Sequence, residues 1–384
     1  MNFITQHITD IIATFDGTTP LAIFLKDYFK KNNKIGSRDR KAVSEGVYIY
    51  YRSALFLDAE LDVLDIIKQG YVLCKSQNTY LKLKLELPET LDTNVDAYAP
   101  EVGVPLSAGV DMDEWLKSHW QQPDLFIRIV QNEELVLDLL QRNNIAYTVE
   151  KLTPAYTCLR LPNSAPIDKL LLPEDYVIQD RSSQLALIQA KQTWQAKQPK
   201  YFWDVCAGAG GKTLQLQQLY KNELKIIASD VRASILHNLR SRCLNYGIKG
   251  VSTSILDATN PEAIAKGLGK KNFDVVLCDV PCTGSGTWSR TPEQLYFFNA
   301  EYFDKFEHLQ YPIALNASKY VSHKGYLVYI TCSVFQHENE AVIEKLVKNT
   351  AFELVHSEMI LGMQEQADTL YIAILKRKNT PIQE

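Results

Sequence analysis

Apolar residues recur at spacings of three and four through residues 3–70. Ile8, Ile11 and Ile12 show the pattern, and so do Val43, Val47, Tyr50, Tyr51 and Leu55. That period lays them along one stripe of an α-helix, so the stretch reads mostly as helix. Ser37, ahead of a charged first turn, is the expected N-cap of one of these helices. Residues 86–123 are rich in Pro, Asp and Gly. They predict a connecting or irregular region with a boundary near Gln121–Pro123.

From Asp124 the period shortens. DLFIRIV predicts a strand, EELVLDLLQRNN a helix, and IAYTVEK and YTCLRLP two more strands, together a small α+β unit. From about Tyr176 onward, strand and helix patterns alternate. Strands are predicted at 201–207, 224–230, 251–257, 273–280, 325–332 and 369–376. Helices are predicted at 212–220, 233–246, 299–321 and 338–349. Such alternation builds a mainly parallel sheet with helices on both faces, an α/β architecture whose ligands bind beyond the carboxyl ends of the strands. The expected domains are 1–120 (helical), 121–175 (small α+β) and 176–384 (α/β).

Composition adds limits. The 384 residues are 46% hydrophobic and 22% charged, which excludes a disordered chain. No stretch is apolar enough to span a bilayer, and the opening residues lack a secretory pattern. The seven cysteines (74, 158, 206, 243, 278, 282 and 332) are an odd number without a metal-type CxxC pair. Reduced thiols in a cytoplasmic, metal-free, monomeric protein are the expectation. The net charge of −4 argues at first against a polyanionic partner. Its distribution removes that objection: residues 58–114 carry −8, whereas Lys26 to Lys41 hold seven basic side chains against Asp27 and Asp39. From charge alone this patch is equally a solvated helix face.

The strand YFWDV runs into Cys206-Ala207-Gly208-Ala209-Gly210-Gly211-Lys212-Thr213. The glycines allow a tight turn and close approach of a ligand to the backbone, and the following helix offers free N–H groups. A nucleoside-triphosphate loop would need glycine where Cys206 stands, so that reading fails. Asp230 closes the next predicted strand, where an acid accepts hydrogen bonds from ribose hydroxyls. Asp257 closes the third and Asp279 lies near the end of the fourth. Three acids rimming one crevice suit an adenosine-containing ligand, either a dinucleotide or S-adenosylmethionine. The absence of GxGxxG favours the latter.

Two cysteines fall at strand ends beside that crevice: Cys282 in Asp279-Val-Pro-Cys-Thr-Gly-Ser-Gly286 and Cys332 in Thr331-Cys-Ser333, with Glu338-Asn-Glu340 following. Here the chain resembles the RsmB/Nop/Sun RNA (cytosine-5) methyltransferases. CAGAGGKT stands for the family's CAAPGGKT, with Ala209 in place of proline. DVPCTGSG stands for DAPCSGxG, and TCS and ENE are both present. The resemblance covers about residues 124–376. More weakly, residues 36–52 resemble the NusB-like helical region of the bacterial rRNA members.

This resemblance implies a Rossmann-like class I S-adenosylmethionine methyltransferase domain, preceded by a small α+β (RRM-like) subdomain and an N-terminal helical RNA-binding domain. It also implies that S-adenosylmethionine is held by Cys206–Lys212, with Asp230 on ribose, Asp257 near adenine and Asp279 near the methionine end. Cys332 would be the nucleophile on cytosine C6, and Cys282 would assist release. Asp279 would bind the cytosine N3/N4 edge, oriented by Lys212. Arg290 and the 26–41 patch are the candidates for RNA phosphates. The RNA is expected to be 16S rRNA, with tRNA as the runner-up. Amino-group methylation is the poorer fit, because its Asn-Pro-Pro-aromatic motif is absent. A non-catalytic assembly factor fits poorly too, since both cysteines, Lys212 and the three acids remain.

Overall fold

Asn2 opens the first helix, Phe3–Thr14, by accepting the backbone N–H groups of Ile4 and Thr5 with its side chain. The helix buries Ile4, Ile8 and Ile11, one turn apart. Leu21–Lys31 buries Leu21, Leu25 and Phe29 in the same way, and Ser37–Ser53 buries Val43, Val47, Tyr50 and Tyr51. Ser37 is not the N-cap that the sequence predicts. The cap is Gly36, in extended conformation without a side-chain bond, and Ser37 is already the first helical residue. The structure is a computed structural model. It describes residues 2–89, 95, 97–194, 198–299 and 301–378, the side chains of residues 302 and 304 aside.

Two compact units result. The first comprises Met1–Val104, Asp111–Pro123 and Thr287–Ala300. Its late segment is bonded into the N-terminal helices. The buried Arg52 Nη1 donates to the carbonyls of His119 (2.6 Å) and Ser289 (2.8 Å). Glu293 Oε1 accepts the backbone N–H of Leu21 at 3.1 Å, at the start of the second helix. Within the predicted irregular stretch 86–123, Met112–Ser118 is a helix capped by Asp111. Residues 90–94 and 96 of that stretch lie outside the described residues.

The second unit comprises Pro105–Val110, Asp124–Gly286 and Glu301–Glu384. It contains β1 (Leu125–Ile129), β2 (Thr148–Thr153), β3 (Tyr156–Leu161) and β4 (Tyr176–Ile178), an antiparallel sheet in the order β2-β3-β1-β4. The helix Glu133–Arg142 buries Val136 and Leu140 in the core it shares with β1 and β3.

The second sheet has seven strands: β5 (Tyr201–Asp204), β6 (Lys225–Asp230), β7 (Val251–Ile255), β8 (Phe273–Asp279), β9 (Val321–Thr331), β10 (Phe352–Ile360) and β11 (Leu370–Arg377). Their order is β10-β11-β9-β8-β5-β6-β7. The five strands from β5 to β9 pair in parallel, and β11 and β10 add antiparallel at the edge. Strand order reverses between β5 and β8, so the carboxyl ends of those two strands frame the crevice where such sheets bind ligands. Two cores flank the sheet. Trp203, Val276, Leu327 and Ala373 belong to one, and Phe202, Val275, Val328 and Ile372 to the other. Adjacent residues of a strand therefore face opposite cores, as a sheet covered on both faces requires. The apolar pattern does not predict β10: its FELVHSEMI run buries little beyond its two end residues.

Candidate active site

β5 ends at Asp204, and the chain turns through Val205–Gly210 into the helix Gly211–Leu219. The turn closes on itself through Gly210 N to Ala207 O (2.9 Å) and is tied to β6 through Ala207 N to Ser229 O (2.8 Å). Gly210 has φ +83°, and a Cβ there would sit 2.0 Å from Leu239 Cδ1, so both backbone and space require glycine. The Ala209 carbonyl accepts from Arg242 Nη1 at 2.7 Å. Beneath the turn, the fully buried Asp204 carboxylate accepts from Thr213 Oγ1 at 2.5 Å. Burial, with added repulsion from the carboxylates of Asp279 and Asp230, pushes its pKa up to about 7 despite that bond.

Beyond the strand ends lies a cleft of about 450 Å³. That volume is within the range of small-molecule sites, roughly 300–1,000 Å³. Of the residues singled out from sequence, Cys206, Asp230, Asp257, Asp279, Cys282 and Cys332 line it. Ala207 to Lys212 do not line it and act from behind. Gly208 N donates to Asp230 Oδ2 at 3.1 Å, and Lys212 Nζ donates to Asp279 Oδ2 at 2.7 Å.

Each acid has its own setting. Asp230 is the last residue of β6 and is 5% exposed. Burial alone would raise its pKa. The bonds from Arg232 (Nε 2.9 Å, Nη2 3.0 Å, backbone N 2.9 Å) and from Gly208 N outweigh burial and hold it below the usual carboxylate range. Asp257 does not close β7, which stops at Ile255. It sits in the turn that follows, where its Oδ1 accepts from Thr259 N (2.9 Å) and Oγ1 (2.7 Å). Asp279 ends β8. Its partner Lys212 is largely buried. Burial works against the ammonium charge, but the Asp279 carboxylate outweighs it and raises the Lys212 pKa.

Cys282, in the loop after β8, and Cys332, directly after β9, approach to 3.4 Å between sulfurs. Their sulfur–sulfur hydrogen bond, reinforced by burial, pushes the Cys282 thiol well above its ordinary pKa, so it holds its proton. Gly286 lets the loop reach Cys332: its N–H donates to Cys332 O (2.8 Å) and its carbonyl accepts from Thr369 N (2.9 Å). A Cβ on Gly286 would stand 2.0 Å from the Thr369 carbonyl oxygen and 3.0 Å from that of Cys332. Cys278 is fully buried, and Cys158 and Cys243 are buried away from the cleft, as small apolar side chains.

The sequence does not single out Arg232 or Gln310. Arg232 lines the cleft, and Gln310 donates to Pro281 O in the Cys282 loop. Only their tertiary contacts mark them, because an arginine two residues past an acid, or a lone glutamine in a helix, carries no motif. Among the described residues, no cluster of three or more His, Cys, Asp and Glu side chains is arranged to hold a metal, and no helix is long and apolar enough to cross a membrane.

In the helical unit, Lys26, Lys30, Lys31, Lys34, Arg38 and Lys41 are exposed. Arg40 is instead half-buried, with Nε donating to Ile35 O at 2.8 Å. Arg38 stacks over Tyr80, 3.9 Å from the ring centroid. Arg290 is half-buried in the 287–300 segment, with its backbone N–H bonded to Thr287 O at 2.8 Å.

The family model described as 16S rRNA methyltransferase RsmB/F matches residues 192–379. The 28S rRNA (cytosine-C(5))-methyltransferase of Mus musculus is 31% identical over 193 residues, which cover 49% of this chain and 23% of that protein. The ribosomal RNA small subunit methyltransferase B of Vibrio vulnificus is 31% identical over 256 residues, 63% of this chain and 56% of its own length. The matches thus span less than two thirds of these relatives. Among solved structures, PH0851 superposes with a TM-score of 0.67 at 20% identity over 97% of each chain, a likeness of fold.

Proposed function

Residues 192–379 form a methyltransferase domain of the RsmB/F family, and on that premise we propose that the chain is an S-adenosylmethionine-dependent RNA cytosine-5 methyltransferase acting on 16S rRNA. The observation that carries this reading is the cysteine pair, 3.4 Å apart between sulfurs, in a cleft that is also lined by Asp279, whose carboxylate Lys212 holds from behind.

Cytosine C5 is a weak nucleophile because the ring withdraws its electrons. In the proposed mechanism, the Cys332 thiolate adds to C6 and makes C5 enamine-like, a case of covalent catalysis. Asp279 faces the N3/N4 edge and favours a proton on N3, which raises the reactivity of C6. Lys212 fixes the Asp279 carboxylate through the 2.7 Å bond. S-adenosylmethionine, when bound, supplies the electrophilic methyl group. The residues present fit it: the Asp230 carboxylate, its pKa lowered by Arg232 and Gly208, would accept from ribose hydroxyls, with Cys206 and Asp257 lining the same cleft. After transfer, solvent water takes the C5 proton, the C5–H electron pair forms the C5=C6 double bond, and the C6–sulfur bond breaks with its pair returning to Cys332. Cys282, a protonated thiol beside that sulfur, assists this release. The target base must be unstacked or single-stranded to enter.

The test is direct. Cys332→Ala should abolish methyl incorporation while cofactor binding, read by calorimetry, is kept. Cys282→Ala should accumulate a covalent RNA–protein band that survives denaturation. Bisulfite sequencing of 16S rRNA from a deletion strain should show one lost 5-methylcytosine. Turnover by Cys332→Ala would overturn the nucleophile assignment, and loss of a tRNA methyl group instead would redirect the substrate.

A further inference from the structure

The two cysteines arrive on separate loops, one after β8 and one after β9. Their 3.4 Å approach therefore depends on what holds each loop. Two consecutive residues just before the helix Glu340–Asn349 do so, and each serves a different cysteine.

Glu338 is 2% exposed. Its Oε1 accepts from Thr283 N (2.8 Å) and from Gln310 Nε2 (2.8 Å), and its Oε2 accepts from Thr283 Oγ1 (2.5 Å). Gln310 Nε2 also donates to Pro281 O at 2.9 Å. Both residues flanking Cys282 are thereby held, Thr283 directly by the carboxylate and Pro281 through Gln310. The Glu338 main chain is fixed too, because Tyr329 Oη donates to its backbone carbonyl at 2.6 Å. Asn339 is fully buried. Its Oδ1 accepts from Thr331 Oγ1 (2.5 Å) and its Nδ2 donates to Ser333 O (2.9 Å), so both residues flanking Cys332 are tied to one amide. Nδ2 also donates to Ser107 Oγ at 2.8 Å.

A buried carboxylate satisfied by neutral donors is costly to place in the protein interior unless every bond is made. The bonds it makes here all converge on the Cys282 loop. We infer that Glu338 and Asn339 are positioning residues with divided roles: Glu338 sets the geometry of the release cysteine, and Asn339 that of the nucleophile. The inference rests on the proposed methyltransferase reading. It separates two steps of one reaction: Asn339 supports formation of the bond from Cys332 to C6, and Glu338 supports its cleavage.

Full-length variants assayed with labelled cofactor and substrate RNA test this. Glu338→Ala should lower kcat about tenfold or more with KM for RNA within about twofold, and should raise the denaturation-resistant adduct several-fold, as Cys282→Ala does. Glu338→Gln keeps an acceptor oxygen for Thr283 N and Gln310, and the Thr283 hydroxyl can rotate to accept from the new amide. It should restore turnover to within about threefold of wild type and keep adduct levels low. Asn339→Ala should lower adduct and product together. Thr283→Val removes one of the three bonds to Glu338 and should raise the adduct more mildly, so the test survives if Glu338→Ala fails to fold. Cofactor affinity should be unchanged throughout.

If adduct and product fell in parallel in Glu338→Ala, or if Glu338→Gln were as impaired as the alanine variant, the divided positioning role would be wrong. If wild type placed no methyl group on cytosine and Cys282→Ala formed no adduct, the methyltransferase reading itself would fail, a different and separately visible outcome.

Discussion

At single positions of this site, main-chain atoms alone can fix the residue type. Gly286 shows it: an added Cβ meets the carbonyl oxygens of Thr369 and Cys332, which cannot rotate away. Gly286→Ala should therefore cost about 2–4 kcal/mol of stability and disturb the cysteine pair. Thermal unfolding together with adduct formation checks this, and truncating a neighbouring side chain should not rescue it. Asp204 makes a pH prediction. Its pKa is about 7 in the folded chain and near 3.9 unfolded. Between those values the native chain keeps a proton that the unfolded chain has released, so this group's contribution to stability falls as pH rises from about 4 to about 7. Asp204→Asn should flatten that part of the pH–stability curve. A variant curve parallel to wild type would refute it. Asp230 moves the opposite way: Arg232 and Gly208 hold its pKa below that of an ordinary carboxylate. If Asp230 holds the cofactor, acid-side loss of binding should set in at lower pH than for an ordinary carboxylate, which calorimetry over a falling pH series checks.

Elements differ in how plainly the sequence announces them. β5, β6, β8 and β9 are buried on both faces and read as near-continuous apolar runs, and the helix between β6 and β7 has a regular period, so all are legible. β10 is not, because an edge strand pairs on one side only and keeps much of its length in water, which removes the apolar pattern. Leu354 and Val355 on β10 are 44% and 45% exposed, next to a register shift against β11. Leu354→Lys with Val355→Lys should change Tm by no more than about 2–3 °C and reduce aggregation of the purified chain. A large loss of Tm would mean that the pair is covered in solution. Met112–Ser118 escapes the pattern for a different reason: seven residues make two turns, too few to establish a period.

At the scale of the molecule, charge is partitioned between segments rather than balanced throughout. Five lysines and Arg38 within residues 26–41 are exposed, whereas Arg40 is spent on the Ile35 carbonyl. Replacing Lys30, Lys31, Lys34 and Arg38 by glutamine should weaken RNA binding. It should also reduce the steepness of its salt dependence by roughly 0.7–0.9 for each phosphate that is no longer neutralised, with cofactor affinity unaltered. Unchanged affinity and slope would remove this face from the RNA-binding surface.

The amino-acid sequence by itself determined the alternation that makes the parallel sheet, the glycine turn after β5, the acids beyond three strands and the two cysteine motifs. These are local facts: a two-residue or 3.6-residue period, or a short run of residue types, survives in one dimension. Only the tertiary structure decided that residues 287–300 complete the helical unit, that Arg232 holds Asp230, and that Glu338 and Asn339 clamp different cysteines. Each of those joins polar atoms whose spacing along the chain follows no period. A hydrogen bond requires atoms within about 3 Å of one another, and only the packed fold brings them there.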